Sequence, residues 1–147
     1  MYLFGGRPDK AQATVREAVN LLWTDRPHGI PGNDDLGAMS SWYVWATMGL
    51  YPGLPGGAEL LVGSPLFPQV VIHRSGQGSI TIRAPGAASG IPYVHGLTVN
   101  GDAWAKPWLP ESFVTEGGEL VFDLASEPDA VWGRAPEDAP PSISESG

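Results

Sequence analysis

Residues 32–52 read GNDDLGAMSSWYVWATMGLYP: an acidic pair between glycines, then a run with almost no charged residue. A helix-period stripe passes through Leu36, Met39, Tyr43, Ala46 and Leu50, so the spacing predicts a helix that begins at Leu36 or Gly37 and ends near Leu50. Trp42, Trp45 and Met48 fall off that stripe and make the helix apolar nearly all round. Such a helix is normally enclosed by other helices. The chain offers it one companion, in which Ala11, Val15, Ala18, Val19 and Leu22 recur on one face and Pro8 suits the first turn. The expected fold is therefore incomplete, with more apolar helix surface than one neighbour can cover.

Between the two helices, residues 24–35 (TDRPHGIPGNDD) are dense in turn formers, so the first helix should stop near Trp23 and a loop should follow. After Pro52 the period changes from helical to alternating. Ile80 and Ile82, Leu97 and Val99, and Leu120, Phe122 and Leu124 each alternate with polar or smaller neighbours, and residues 69–74 (QVVIHR) form a further candidate strand. Asn100-Gly101 is a strong type I′ hairpin signal between the strand ending at Val99 and one around Trp104. The expected class is α+β: two helices over residues 1–52, then a small antiparallel sheet or sandwich over 53–132. Residues 133–147 are rich in Pro, Ser, Glu and Asp and are expected to be a disordered tail.

Composition removes several classes of function. With 42% hydrophobic residues over 147, the chain can build a core. Sixteen acidic against eight basic side chains leave a net charge of −8, and no Lys or Arg cluster exists to replace the counterions of a polyanion, so a nucleic-acid partner is not expected. The absence of cysteine excludes disulfides and thiolate metal sites. There is neither an apolar run long enough to span a membrane nor a basic segment and apolar run of the secretory kind at Met1. An aromatic and apolar opening, Met1-Tyr2-Leu3-Phe4, reads like a chain cut within a structure.

The acidic loop is the one constellation with chemical promise, because Asn33, Asp34 and Asp35 stand at the mouth of the second helix. First-turn amides and the helix dipole favour an ionised carboxylate there, which suits a general base. An equally available reading is structural: aspartate is a common N-cap, and either Asp34 or Asp35 can serve as one. One cap needs only one carboxylate, which leaves the other unexplained. A calcium loop of the EF-hand type fails, since the register of Asn33 and Asp35 meets Gly37 at the third ligand place. Ser40 and Ser41 lack a nucleophile elbow, no phosphate-cradling glycine loop occurs, and His28, His73 and His95 have no metal-ligand spacing.

The run from Gly29 to Trp45 (GIPGNDDLGAMSSWYVW), with MGLYP at 48–52 and GSPLF at 63–67, closely resembles the C-terminal region of glycoside hydrolase family 92. GRPDKAQ at 6–12, VNG at 99–101 and GGEL at 117–120 extend the likeness over residues 2–128. The resemblance implies a calcium-dependent, exo-acting α-mannosidase that inverts the anomeric centre, built from an N-terminal β-sandwich and an (α/α)6 barrel. By it, the two helices are the end of the barrel and residues 53–132 the strand-rich segment that follows. Asp35 takes the place of the general base and Asp34 falls in the same catalytic network. Asn33 stands where some members carry a further aspartate and is assigned to substrate binding. The general acid, a glutamate from earlier in the barrel, has no counterpart here, and the calcium ligands cannot be assigned within this chain. The implied partners are α-mannoside glycans and the absent sandwich and barrel segments, and the implied parent enzyme is secreted or extracellular. A different class of function, a noncatalytic carbohydrate-binding module with Trp104 and Trp108 stacking on sugars, is the competing expectation.

Overall fold

The computed structural model describes residues 1–54 and 56–142. A single 3-10 turn, Leu3–Gly5, precedes helix α1 (Pro8–Leu22), which starts with proline in its first turn as expected. Helix α2 (Ala38–Met48) is shorter at both ends than its apolar stripe. Its start is delayed because Asp35, Leu36 and Gly37 all have positive φ (45°, 60° and 87°), which right-handed helix cannot contain. Its end is fixed by Gly49 at φ 76°, whose N–H bonds back to the carbonyls of Trp45 and Ala46. Leu50 thereby leaves the helix and opens strand β1.

Two sheets follow. The first is antiparallel, with strand order β1 (Leu50–Pro52), β2 (Leu60–Val62) and β7 (Trp108–Leu109). The second has the order β3-β4-β8-β5-β6, from β3 (Gln69–Ile72), β4 (Ile80–Arg83), β5 (Tyr93–Val99), β6 (Asp102–Ala103) and β8 (Gly118–Ala125). A short helix α3 (Glu111–Glu116) leads into β8. The class is α+β with mainly antiparallel strands, as expected; one pair departs from that pattern, since β8 runs parallel to β4 and antiparallel to β5. Alternation along a strand reports which face is buried and carries no information on the direction of the neighbour.

Asn100 and Gly101 both adopt positive φ (53° and 91°) between β5 and β6, as a type I′ turn requires. In β5 the buried residues Val94 and Leu97 are three apart, and the register against β8 slips between Val94 and Gly96. His95 is the extra residue of a bulge, which returns Leu97 to the inner face. One contiguous core joins both sheets: Leu50, Leu60, Val62 and Leu109 from the first, Ile80, Ile82, Val94, Leu97, Leu120 and Phe122 from the second, sealed by Phe113 and Trp132.

Helix α1 packs on β5 and α2, and α2 on β1. The buried guanidinium of Arg16 holds this junction by donating to the carbonyls of Ala88, Ser64 and Pro65 and to Ser64 Oγ, the last three at 2.9–3.2 Å. Gln12 Oε1 adds a bond from Val94 N–H at 3.3 Å. Of α2 only Ala46 and Thr47 are buried, while Val44, Leu36, Leu21 and Leu22 are more than half exposed. The helical layer thus carries apolar side chains that the described residues leave uncovered.

Disorder from residue 133 onward does not describe residues 133–142, and that expectation is corrected. Trp132 enters the core, Arg134 donates to the Asp129 carbonyl (2.8 and 3.1 Å) and pairs with Asp9 at 3.2 Å, and Trp108 Nε1 donates to the Asp138 carbonyl. A few anchoring side chains hold a segment whose average composition reads as a tail. Residues 143–147 of the expected tail lie outside the described residues.

Candidate functional site: the acidic loop

The loop between α1 and α2 is tied at its base before it reaches the carboxylates. Trp23 is extended (φ −109°, ψ 139°), and Thr24 N–H donates to the Gly29 carbonyl at 3.0 Å while Gly29 N–H donates to the Arg26 carbonyl at 2.9 Å. Gly29 is obligatory, since a Cβ there would sit 1.9 Å from the Thr24 carbonyl oxygen. Across the loop the Trp23 ring stacks on Trp42 at 4.8 Å and 16°, with Tyr43 at 5.7 Å. The residue before the loop is therefore clasped by the first turns of the helix after it. Trp42 packs in an aromatic cluster and Trp45 against the core.

The two aspartates have different occupations. Asp34 is half-buried and captures Ser40 with both oxygens: Oδ1 accepts the Ser40 N–H and Oδ2 the Ser40 hydroxyl, each at 2.8 Å. Its own carbonyl accepts Met39 N–H at 3.3 Å. These bonds, the Ser40 amide first and the hydroxyl second, hold the Asp34 carboxyl below the usual carboxylate range. Gly37, formally the N-cap, has no side chain to offer, so Asp34 supplies the cap from six residues before Ser40. Asp35 is exposed, and its carboxylate has no hydrogen bond or ion pair among the described residues. Its left-handed conformation and that of Leu36 cost about 1–2 kcal/mol each. Strain of this kind persists only where surrounding contacts impose it. Asn33 is exposed beside it, also without a partner among the described residues.

The loop therefore presents two carboxylates without a partner among the described residues, Asp25 near its base and Asp35 at the mouth of α2, and the second stands beside the occupied Asp34, where it can accept a proton from water or a hydroxyl. The three histidines are not gathered there: His28 is exposed in the loop, His73 lies near Ser79, and His95 Nε2 meets the Glu127 carbonyl at 2.7 Å. Among the described residues no group of three or more His, Asp or Glu side chains could hold a metal, so this chain alone does not fit the calcium that the resemblance implies. A 250 Å³ apolar groove, lined by Leu3, Val15, Trp42, Ala46 and Tyr51 among others, includes no residue of the acidic loop.

Trp104 and Trp108 are engaged within the fold. Trp104 Nε1 donates to the Trp108 carbonyl (2.9 Å), Trp132 Nε1 to the Trp104 carbonyl (2.9 Å), and Trp108 Nε1 to Asp138, while the Lys106 ammonium lies 5.3 and 5.9 Å from the Trp108 and Trp104 ring centres. This internal employment accounts for both rings. The Asp34–Ser40 pairing is the element of the site that sequence reading missed, because its spacing of six is not that of a capping box.

Comparison with known proteins places the chain in a family. Residues 1–126 match the family model of the glycosyl hydrolase family 92 catalytic domain. The chain is 33% identical over 146 residues to an uncharacterized secreted glycosidase of Arthroderma benhamiae, covering 97% of this chain and 19% of that protein. A family 92 alpha-mannosidase of Bacteroides thetaiotaomicron, solved in complex with mannoimidazole, superposes with a TM-score of 0.92 at 30% identity, covering 97% of this chain and 19% of that one. A family 92 inverting mannosidase of the same organism gives 0.85 at 34% identity, covering 93% and 19%. This chain belongs to glycosyl hydrolase family 92. It spans about a fifth of the length of the relatives it matches.

Proposed function

We propose that this chain is the C-terminal part of an enzyme that removes terminal α-linked mannose with inversion, and that Asp35 is its general base. The observation that carries the reading is the division of labour in the acidic loop: Asp34 is occupied by Ser40, and Asp35, one residue on, is free. Solved relatives described as an alpha-mannosidase and an inverting mannosidase supply the substrate class.

In this mechanism Asp35 takes a proton from a water molecule as the water oxygen bonds to the anomeric carbon. The glycosidic C–O bond breaks with its electron pair on the leaving oxygen, which a general acid outside this chain protonates. Inversion requires the two carboxyl groups to stand about 6.5–9.5 Å apart, with the water between Asp35 and the sugar. Asn33, exposed beside the base, is assigned to the sugar hydroxyls or the water. The calcium implied by family resemblance would draw its ligands from several segments, with Asn33 or Asp35 the candidates in this chain, and no step here depends on it. Residues 1–52 form the end of the (α/α)6 barrel in this reading and 53–132 its strand-rich continuation. The partners are α-mannoside glycans and the earlier barrel and sandwich segments, and the parent enzyme is secreted, like the relative from Arthroderma.

The isolated chain is expected to be inactive, because leaving-group protonation and sugar positioning each contribute orders of magnitude to the rate. The test is proton NMR of an α-mannoside incubated with the complete enzyme. β-Mannose should appear first and mutarotate afterwards; α-mannose as first product, or no mannose, would refute the assignment.

A further inference from the structure

We infer that Asp34 and Ser40 form a positioning clamp for Asp35, so that Asp34 serves the reaction through its neighbour's backbone and is not itself a proton acceptor. The inference rests on the general-base reading of Asp35 and specifies how that residue is held. Both Asp34 oxygens are occupied by Ser40 donors at 2.8 Å, one of them a backbone amide of α2. The carbonyls of Asp34 and Asp35 accept the amides of Met39 and Ala38, each at 3.3 Å. Asp35 and Leu36 are meanwhile in left-handed conformations that an unrestrained chain would leave. Among the described residues Leu36 is fully exposed and the Asp35 side chain has no partner. Of the contacts around Asp35, those of Asp34 and its own carbonyl bond to Ala38 connect its backbone to the helix.

The geometry separates two kinds of defect. Loss of the Asp35 carboxylate removes the proton acceptor, whereas loss of the Asp34 carboxylate leaves the acceptor present but released from its strained position. A displacement near 1 Å at a reacting group lowers rates by about a hundredfold. Azide distinguishes the two, because an anionic nucleophile bonds to the anomeric carbon without giving up a proton, while the glycosidic electron pair leaves on the protonated aglycone oxygen. In Asp35→Ala it takes the space and charge that the carboxylate vacates, whereas in Asp34→Ala the retained Asp35 carboxylate still repels it.

The experiment uses the complete enzyme, an activated α-mannoside and four variants, with circular dichroism to verify folding. Asp34→Ala is expected to lower kcat by about a hundredfold with KM within about threefold. Ser40→Ala, which removes one of the two bonds and keeps the amide, is expected to lower it by about tenfold. Asp34→Asn retains an acceptor for the Ser40 amide and a donor for its hydroxyl, and should recover at least about tenfold over Asp34→Ala. Azide should yield β-mannosyl azide and restore turnover in Asp35→Ala, and should have no effect on Asp34→Ala. The clamp is overturned if Asp34→Ala and Ser40→Ala both retain full kcat while Asp35→Ala is inactive. It is equally overturned if Asp34→Asn is no better than Asp34→Ala, or if azide rescues Asp34→Ala as it rescues Asp35→Ala. Full activity in Asp35→Ala would instead remove the general-base reading, and the clamp with it.

Discussion

Gly29→Ala tests whether the base of the loop controls the carboxylates five and six residues away. The added Cβ would lie 1.9 Å from the Thr24 carbonyl oxygen and 2.9 Å from that of Arg26. Ordinary contact for such a pair begins near 3.4 Å, so the turn must open by about 1.5 Å. That movement breaks Thr24 N–H to Gly29 O (3.0 Å) and Gly29 N–H to Arg26 O (2.9 Å), a local loss of about 2 kcal/mol at ~1 kcal/mol for each bond. The far end of the loop stays clamped to α2 through Asp34, so the opening is expected to be taken up between Ile30 and Asn33 and to move Asp35 by a fraction of that distance. Turnover of an α-mannoside by the complete enzyme should fall between about tenfold and a hundredfold. The unfolding midpoint should fall by only the few degrees that this local loss accounts for, since no residue of the shared core is touched. The assay pairs steady-state rates with amide hydrogen exchange at Thr24 and Gly29. Unchanged rates together with faster exchange would show that the turn does not position the site; unchanged exchange would refute the steric argument itself.

Other consequences concern the junction that carries the loop. Arg16→Leu leaves the carbonyls of Ser64, Pro65 and Ala88 without their shared donor and should destabilise the fold by about 3 kcal/mol, read from urea unfolding; a loss below about 1 kcal/mol would mean that water replaces the guanidinium at no penalty. Asp9 accepts from Arg7 (2.8 and 3.0 Å) and pairs with Arg134 (3.2 Å), and these contacts, the Arg7 hydrogen bonds foremost, hold its pKa below the ordinary value. Because the folded-state pKa is depressed, this contribution is fully present above the unfolded carboxylate pKa of about 4 and is lost as the pH falls through the lower folded value. Asp9→Asn should therefore lower the unfolding midpoint at pH 6 and flatten its decline toward pH 2.5; a slope identical to that of the parent would exclude Asp9 as a source of the acid sensitivity.

Much of this structure was legible in the sequence because the signals were local. Pro8 and the Ala11–Val15–Leu22 face specified α1, and Asn100-Gly101 specified its hairpin with both residues at positive φ. The boundaries of α2 were not legible, because hydrophobic period continues through Leu36 and Leu50 although the backbone at residues 35–37 and Gly49 has left the right-handed region. Apolar period records burial, and here Leu36 is not buried at all. The parallel β4–β8 pair and the pairing of β7 with β2 depend on partners far along the chain, and β1 and β2, though close in sequence, are three residues each, too short to show an alternating pattern. At the site, the choice between cap and base could not be made from two adjacent aspartates. Ser40 occupies one of them from six residues away, and the proposal of Asp35 as the base rests on that contact.

The central claim is that the carboxylate at position 35 removes a proton from water as the mannosidic bond breaks. Its most direct test is kcat of Asp35→Asn in the complete enzyme, an exchange that keeps size and turn preference but leaves an amide that takes no proton. A fall of about a thousandfold with the fold retained is predicted; turnover within a few fold of the parent would contradict the account.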